Sequence, residues 1–565
     1  MVSIFINNAK TKIVGEFHKE KNHQQAYHTM LREVCGYSVP NAEWSPSYKN
    51  HQWDGIITLY DKRNQSFPTG LLSNVLKALK LLGCEYQLID NREKPVLNIE
   101  IETRFSEFNR KLYDYQLEAV EKALRKSRGV LALATGAGKT MSSCELIAQM
   151  SVSPVIFTVP SKSLLKQTHN EFTKYLKING KDASIGLIGD GICNIEENGI
   201  NVCTYQTALA AFNEKFSESK NKIEIDELAG ESSKKTLEQL QSEFQTAEYI
   251  YNKKIDSASE EIKQDTKKLS SFSRVEKNNL NKTKLALDTR LKSIENKKKI
   301  RNLFSETQAI IVDEAHLAAV VIETLANHAP KAYYRFGLSA TPWREDNQEI
   351  RLEGCLGKKI IEISPTFLIE RGFLVPPKIY MIPIKHNEAS DNYADSYVKH
   401  VTKCWERNYR IKQFAETFQE NGRPTMIIVD RIEHGNILEK MIKNSVFVPG
   451  NDKGEDDPDD QEQDYRRRML NKCENNEIIL IGTQWLNTGI DAPAISVLIM
   501  GGSTQASATV LQTIGRVLRT HPKSGKTEAV IIDFISADKN MRKHSLARKR
   551  VYQSEAGFDL REMKM

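Results

Sequence analysis

Lys139 closes the loop ATGAGKT (residues 134–140), and its neighbours suit that loop to hold phosphate. Phosphate oxygens need backbone N–H groups aimed at them, and glycine lets the backbone come close without a Cβ in the way. Gly136 and Gly138 supply that freedom, with Thr135 and Ala137 completing the loop. The Lys139 ammonium can reach β- and γ-phosphates, and the Thr140 hydroxyl can hold Mg2+. The apolar run VLAL precedes the loop and the helical run SSCELIAQM follows it, the strand–loop–helix order such a site requires. Leu133 stands where the usual first glycine would be, so the loop alone leaves open a glycine turn that happens to contain a lysine.

Four further stretches carry matching chemistry. AIIVDEAH (309–316) is an apolar strand ending in two carboxylates. Asp313 is suited to bind Mg2+ through water and Glu314 to polarise an attacking water, the two tasks of phosphoryl transfer to water. GLSATP (337–342) follows, and Ser339, Ala340 and Thr341, with His316, are expected to couple the nucleotide site to motion. QTIGRVLRT (512–520) brings Gln512, Arg516 and Arg519. Arginines three apart share a helix face, and presented across a cleft they can stabilise charge on a γ-phosphate. Ahead of them, TGIDAP (488–493) offers Gly489 and Asp491 at a strand end. A solvated face explains a lone arginine pair, but not four such stretches in this order.

These residues need a scaffold, and the apolar runs supply one. PVIFTVP, INVCTY, AIIVDEAH and YRFGLSAT are buried-type strands with helical segments between them, and TMIIVD, EIILIGT, VLIMGG and AVIIDFI repeat the rhythm. That alternation predicts parallel sheets flanked by helices. We expect two α/β domains, at 106–375 and 376–545, with 546–565 as a C-terminal tail. Residues 1–105, with the short runs VSIFI, DGIITLY, YQLID and VLNIEI, read as a small α+β domain.

The first α/β domain is interrupted at 214–301, which holds 16 acidic and 20 basic residues, one glycine and no proline. Leu237, Leu240, Phe244, Ala247, Tyr251, Ile255, Ala258 and Ile262 recur every three or four residues, the seam of a coiled coil. Leu280, Leu287, Leu291 and Ile294 supply a return strip, with SSFS (270–273) between. An antiparallel helical hairpin is expected, either a solvated spacer or an arm that contacts DNA or protein. DKGEDDPDDQEQD (452–464), with eight acids, reads as a surface loop rather than a metal site.

Composition bounds the partners. Eighty basic residues against 73 acidic ones give +7, which permits a polyanion without establishing one. The eight cysteines include no Cys-x-x-Cys pair, arguing against zinc and for small buried hydrophobes in a reducing compartment. MVSIFINNAKTK lacks the apolar core of a signal peptide, and no run approaches the roughly 18 apolar residues of a membrane span. A cytoplasmic protein without a membrane role is the expectation.

Residues 110–540, apart from the insertion, resemble the superfamily 2 helicases and translocases of the type III restriction and XPB-like branch. DYQLEAV (114–120) matches the adenine-side glutamine motif through Gln116. TVPSKSLLKQ (158–167), VCTYQTAL (202–209) and TMIIVDR (425–431) match further motifs, and WRED (343–346) resembles the Arg-Glu-Asp element of XPB-like proteins. Leu133 is normal in that superfamily. The resemblance implies two RecA-like domains with ATP and Mg2+ between them. It implies a binding set of Gln116, residues 135–140, Gly489 and Asp491. It implies DNA-strand contacts at Pro160, Ser161, Lys162, Thr204, Tyr205 and Thr483. In that family such contacts go mainly to phosphate and sugar.

The amino-terminal stretch resembles phage UvsW-type helicases in Gly36–Tyr37, Pro46, Trp53–Asp54–Gly55, Leu59–Tyr60–Asp61, Phe67 and Gly70–Leu71. That family rewinds and remodels branched DNA, so a duplex-binding module ahead of the motor is implied. Trp44, Trp53, Tyr60 and Phe67 are expected mostly as core of so small a domain, with Lys49, Lys62 and Arg63 around it for DNA. Single-stranded, duplex and branched DNA are the expected partners, with a protein partner for the arm as a further one. A restriction-system motor, an RNA helicase and an ATP-switched scaffold are the competing readings. The first would need a nuclease domain beyond 545, for which the remaining chain is too short.

Overall fold

The computed structural model describes residues 2–17, 21–97, 99–212, 236–264, 266–340, 348–386, 388–450, 460–487, 492–503 and 507–563. Thr341, Gly489, Asp491 and the WRED element lie outside these residues.

Eight strands form the first large sheet. Their spatial order is Ile192–Asn194, Ile185–Gly189, Ile200–Thr204, Val155–Val159, Ala309–Val312, Tyr334–Ser339, Arg128–Leu133 and Lys359–Ile363. All neighbours run parallel except the hairpin pair at the Ile192–Asn194 edge. Helices cover both faces, so Val155–Val159 and Ala309–Val312 are buried at every position. This is why they read as unbroken apolar runs. The phosphate-type loop, the Asp313–Glu314 pair, Ser339 and residues 160–162 all follow strand ends on one rim, where open α/β sheets bind ligands.

Seven strands form the second sheet, all parallel. Their order is Ser445–Val448, Ile479–Gly482, Thr425–Ile428, Val497–Met500, Ala529–Ile535, Pro377–Pro383 and Asp559–Glu562. The last strand lies in the stretch expected as a tail. The preceding helix, Lys539–Ser554, buries Arg548, Val551 and Tyr552, and Arg548 Nε meets Asp533 Oδ2 at 2.8 Å inside the core. That buried pair and the added strand make 546–563 a continuation of the second sheet domain. Ile101–Thr103 likewise pairs with Leu176–Ile178 of the motor, so the amino-terminal sheet ends earlier in the chain, at Tyr86–Asp90.

The amino-terminal module has four strands in order Ser66–Pro68, Lys10–Val14, Val2–Ile6 and Tyr86–Asp90. Its own core includes Ile4, Ile13, Leu31, Tyr60, Phe67 and Val75. It packs on the eight-stranded sheet domain at the strand ends opposite the 134–140 loop. There Arg128 Nη2 donates to the Asn8 carbonyl (2.6 Å) and Asn8 Nδ2 to that of Lys331 (2.8 Å). Arg351 Nε meets Tyr37 Oη at 3.0 Å. Gly70 is required at this contact, because a Cβ there would stand 1.9 Å from the Glu353 carbonyl oxygen.

Residues 214–235 of the insertion lie outside the described residues; the rest forms the expected hairpin, with Leu237–Asp256 packed along Arg274–Glu306. Two short helices, Glu260–Gln264 and Thr266–Phe272, bridge them. The 33-residue return helix is about 50 Å long at 1.5 Å per residue. Its end enters the motor core, where Phe304 stands edge-on to Phe212 at 5.1 Å. Leu291 and Ile294, expected in the seam, are exposed. Among the described residues no helix is long and apolar enough to cross a membrane. The acidic loop lies outside the described residues up to 459, and from Asp460 the chain is helical to Glu474.

Candidate nucleotide site and strand-facing rim

Gly136 and Gly138 adopt φ +90° and +80°, left-handed values that L side chains rarely take. The loop curls there, and the helix Lys139–Met150 begins immediately after it. Gln116 supports the curl from behind. Its Nε2 donates to the Ala137 carbonyl (2.9 Å) and its Oε1 accepts from Tyr113 N–H (2.9 Å). A Cβ on Gly138 would lie 2.2 Å from that same Nε2. Gln116 is therefore buried against the loop rather than extended into the cleft.

Lys139 Nζ stands 2.5 Å from Glu314 Oε1. Burial works against the ammonium, but Glu314 and Asp313 outweigh it and hold Lys139 above its usual pKa. Burial also opposes the Glu314 charge, which Lys139 and His316 restore, so Glu314 stays below the usual carboxylate range. Asp313 differs: burial, with Glu314 adding to it and Lys139 pulling against it, pushes it up to about 6. His316 Nδ1 pairs with Ser339 Oγ at 2.9 Å, connecting the carboxylates to the next strand. Ala340 follows Ser339, and Thr140 lies half-buried in the first turn after Lys139.

The second sheet completes the site. From the helix Ser507–Val517, Gln512 Nε2 donates to Glu314 Oε2 (3.0 Å) and lies 3.4 Å from His316 Nε2. One turn on, Gly515 faces Thr135 so closely that a Cβ would lie 2.7 Å from the Thr135 Cβ. Arg516 is near enough to oppose the Lys139 charge and favour that of Glu314. Arg519 does not share its helix face. The helix ends at Val517, whose carbonyl accepts from Lys526 Nζ (2.5 Å), and Arg519 forms an extended bridge with Leu374 beside Gly136. Sequence reasoning missed Gly515 and Lys526. A glycine inside a helix, unfavourable there by about 1 kcal/mol, was the available signal for the first. Nothing in the sequence marked the second.

On the same rim, Pro160, Ser161 and Lys162 are half-exposed. Ser161 caps the next helix by accepting from Leu164 N–H (3.3 Å), and Lys162 lies 3.5 Å from Asp190. Thr204, Tyr205 and Thr483 turn inward instead. Thr204 Oγ1 accepts from Thr207 N–H (3.3 Å), and Thr483 Oγ1 accepts from Gly450 N–H (2.8 Å). Tyr205 donates to the Asp313 carbonyl. In the amino-terminal module, Tyr60 and Phe67 are core, Trp53 is half-buried with Nε1 on the Ile56 carbonyl (3.0 Å), and Trp44 is 75% exposed. Among the described residues no three His, Cys, Asp or Glu side chains form a metal cluster. Thr140 and Asp313 fit instead the sparse protein coordination of a Mg2+ shared with phosphates.

Residues 109–228 and 231–344 match the family described as "Type III restriction enzyme, res subunit", and 409–521 match "Helicase conserved C-terminal domain". Putative helicase 22 of Sulfolobus islandicus filamentous virus is 28% identical over 258 residues, 42% of this chain and 44% of that protein. The ATP-dependent DNA helicase uvsW of Enterobacteria phage T4 is 24% identical over 249 residues, 42% of this chain and 48% of that protein. The crystal structure of T4 UvsW aligns over 100% of this chain and 99% of its own, with 18% identity and a TM-score of 0.39. The chain thus spans about half the length of these curated relatives.

Proposed function

We propose, from the premise that this chain belongs to the superfamily 2 helicases, that it is an ATP-dependent DNA helicase or translocase that remodels branched DNA. The observation that carries this reading is the meeting of Gln512 and Gly515 from one sheet domain with Glu314 and Thr135 from the other. A nucleotide seated at that junction touches both domains, so its turnover becomes relative motion.

Lys139 would meet the β- and γ-phosphates, and the 135–138 backbone would donate to them. Glu314 would orient the attacking water, with Gln512 and His316 fixing its carboxylate. Arg516 and Arg519 would stabilise charge on the γ-phosphate. Bound Mg2+ would neutralise phosphate charge, with Thr140 and Asp313 as its protein oxygens. His316 and the 339–341 segment would relay the change, and Gly489 and Asp491 would complete the second domain's side. Residues 160–162 would grip one strand by phosphate and sugar, in a salt-sensitive and sequence-independent way.

The amino-terminal module would hold duplex near the branch. Its exposed Trp44 and the basic Lys49, Lys62 and Arg63 support that role. The return helix of the arm, with ten basic and four acidic residues, suits a second phosphate backbone or an acidic protein partner. The viral relatives fit a host-cytoplasmic setting.

Steady-state ATP hydrolysis with and without DNA tests the reading. Single-stranded DNA should stimulate turnover in the wild type and not in Lys139→Ala. Equal stimulation by RNA would favour an RNA helicase, and indifference to every polynucleotide would favour a scaffold.

A further inference from the structure

Tyr205 opens the helix Tyr205–Phe212 at the end of the strand Ile200–Thr204. It lies beside the half-exposed residues 160–162, yet its side chain is buried and its hydroxyl donates to the backbone carbonyl of Asp313. Burial, with Asp313 and Glu314 nearby, pushes this phenol well above its usual range, so it remains a donor in any ordinary buffer.

The carbonyl it holds belongs to the peptide entering Glu314. Glu314 has φ +49°, in the left-handed region that a glutamate rarely occupies. Such a conformation persists only where the surroundings over-determine it. Asp313 N–H donates to the Thr158 carbonyl (2.9 Å) and Glu314 N–H to Asp313 Oδ1 (2.9 Å). The Tyr205 hydroxyl fixes the carbonyl between these two N–H groups. That turn aims Glu314 at Lys139 and Gln512.

The next residue reaches the other way. Gln206 Nε2 donates to the Pro160 carbonyl at 3.1 Å, on the rim. We propose that Tyr205 is a positioning residue linking the strand-gripping segment 160–162 to Glu314, through Gln206 on one side and the Asp313 carbonyl on the other. The proposal rests on the reading of this chain as a DNA-stimulated ATPase. A strand seated on 160–162 shifts the Pro160 carbonyl. Gln206 follows, and the first turn of the helix carries the shift to the peptide that sets Glu314.

The test compares full-length wild type, Tyr205→Phe and Gln206→Ala. The readouts are melting temperature, single-stranded DNA affinity, and ATP turnover with and without saturating DNA. Tyr205→Phe keeps the ring and removes only the donor. The ratio of DNA-stimulated to DNA-free kcat should fall about tenfold, the scale of one buried acceptor left unpaired, while DNA affinity stays within about twofold of wild type. Gln206→Ala should lower the same ratio. A wild-type ratio in either variant overturns the proposal alone. A loss of stimulation matched by lost DNA affinity overturns it too, because Tyr205 would then serve the strand directly. Equal loss of DNA-free and stimulated turnover, with a lower melting temperature, reduces Tyr205 to a packing residue. No stimulation of wild type by any DNA overturns the functional reading and the proposal with it.

Discussion

Gly515→Ala should leave the fold as stable as before, or more so, and cripple ATP turnover. Gly515 lies inside the helix Ser507–Val517, where alanine is favoured over glycine by about 1 kcal/mol. Its new Cβ would stand 2.7 Å from Thr135 Cβ, 3.3 Å from Oγ1 and 3.4 Å from Cγ2. Carbon atoms pack at about 3.5–4.0 Å, so helix and loop must part by about 1 Å. Gln512, on the same helix, is 3.0 Å from Glu314, and that retreat takes it out of hydrogen-bond range. A displacement of about 1 Å in a catalytic site costs on the order of 100-fold in rate, or about 2.7 kcal/mol of barrier. Differential scanning calorimetry and steady-state hydrolysis with saturating DNA give the two readouts. A wild-type kcat in Gly515→Ala would refute the reasoning, since the close contact would then lie outside the productive state.

Other perturbations follow from single contacts. Asp533→Asn leaves Arg548 buried without its counter-charge, a loss of about 3–5 kcal/mol by chemical denaturation. Burial raises the Asp533 pKa, but Arg548 and Tyr552 more than offset this and hold it below the usual carboxylate value. Its contribution is therefore fully present above that value and lost as pH falls through the lower native one. The stability gap between wild type and Asp533→Asn should hold from about pH 5 upward and narrow only in stronger acid. Trp44→Ala should change stability by no more than about 0.5 kcal/mol, since the side chain is 75% exposed. It should weaken binding of a four-way DNA junction about tenfold, the scale of one lost base stack, as read by fluorescence anisotropy. Unchanged junction affinity would remove Trp44 from the DNA-holding surface.

The elements of the site were legible where local sequence dictates local geometry. Glycines next to Lys139 predict a loop with the backbone freedom to approach phosphate, and Gly136 and Gly138 use it by taking positive φ. An apolar run ending in Asp313–Glu314 predicts a buried strand delivering carboxylates to a rim, and Ala309–Val312 does so. What could not be read depends on residues far apart in the chain. Tyr205 looks like a rim residue from its neighbours, and only the arrival of Asp313, 108 positions on, turns it inward. Arg516 and Arg519 are three apart, but the helix ends at Val517 between them, and Lys526 caps the carbonyl left free there. Trp44 and Phe67 have similar sequence surroundings, yet only Phe67 lies on a strand facing a core. The stretch 546–563 is short and charged, and its membership of the second sheet domain is set by Asp533 and Pro377–Pro383, not by its own composition.

The central claim is that ATP turnover between the two sheet domains moves DNA strands. Its most direct test is the ATP-driven conversion of a synthetic four-way DNA junction into two duplexes, with Lys139→Ala as control. The wild-type protein should convert the junction in a manner dependent on ATP hydrolysis, and Lys139→Ala should not. Hydrolysis stimulated by DNA without any conversion of the junction would contradict the branch-remodelling claim and leave only a translocase.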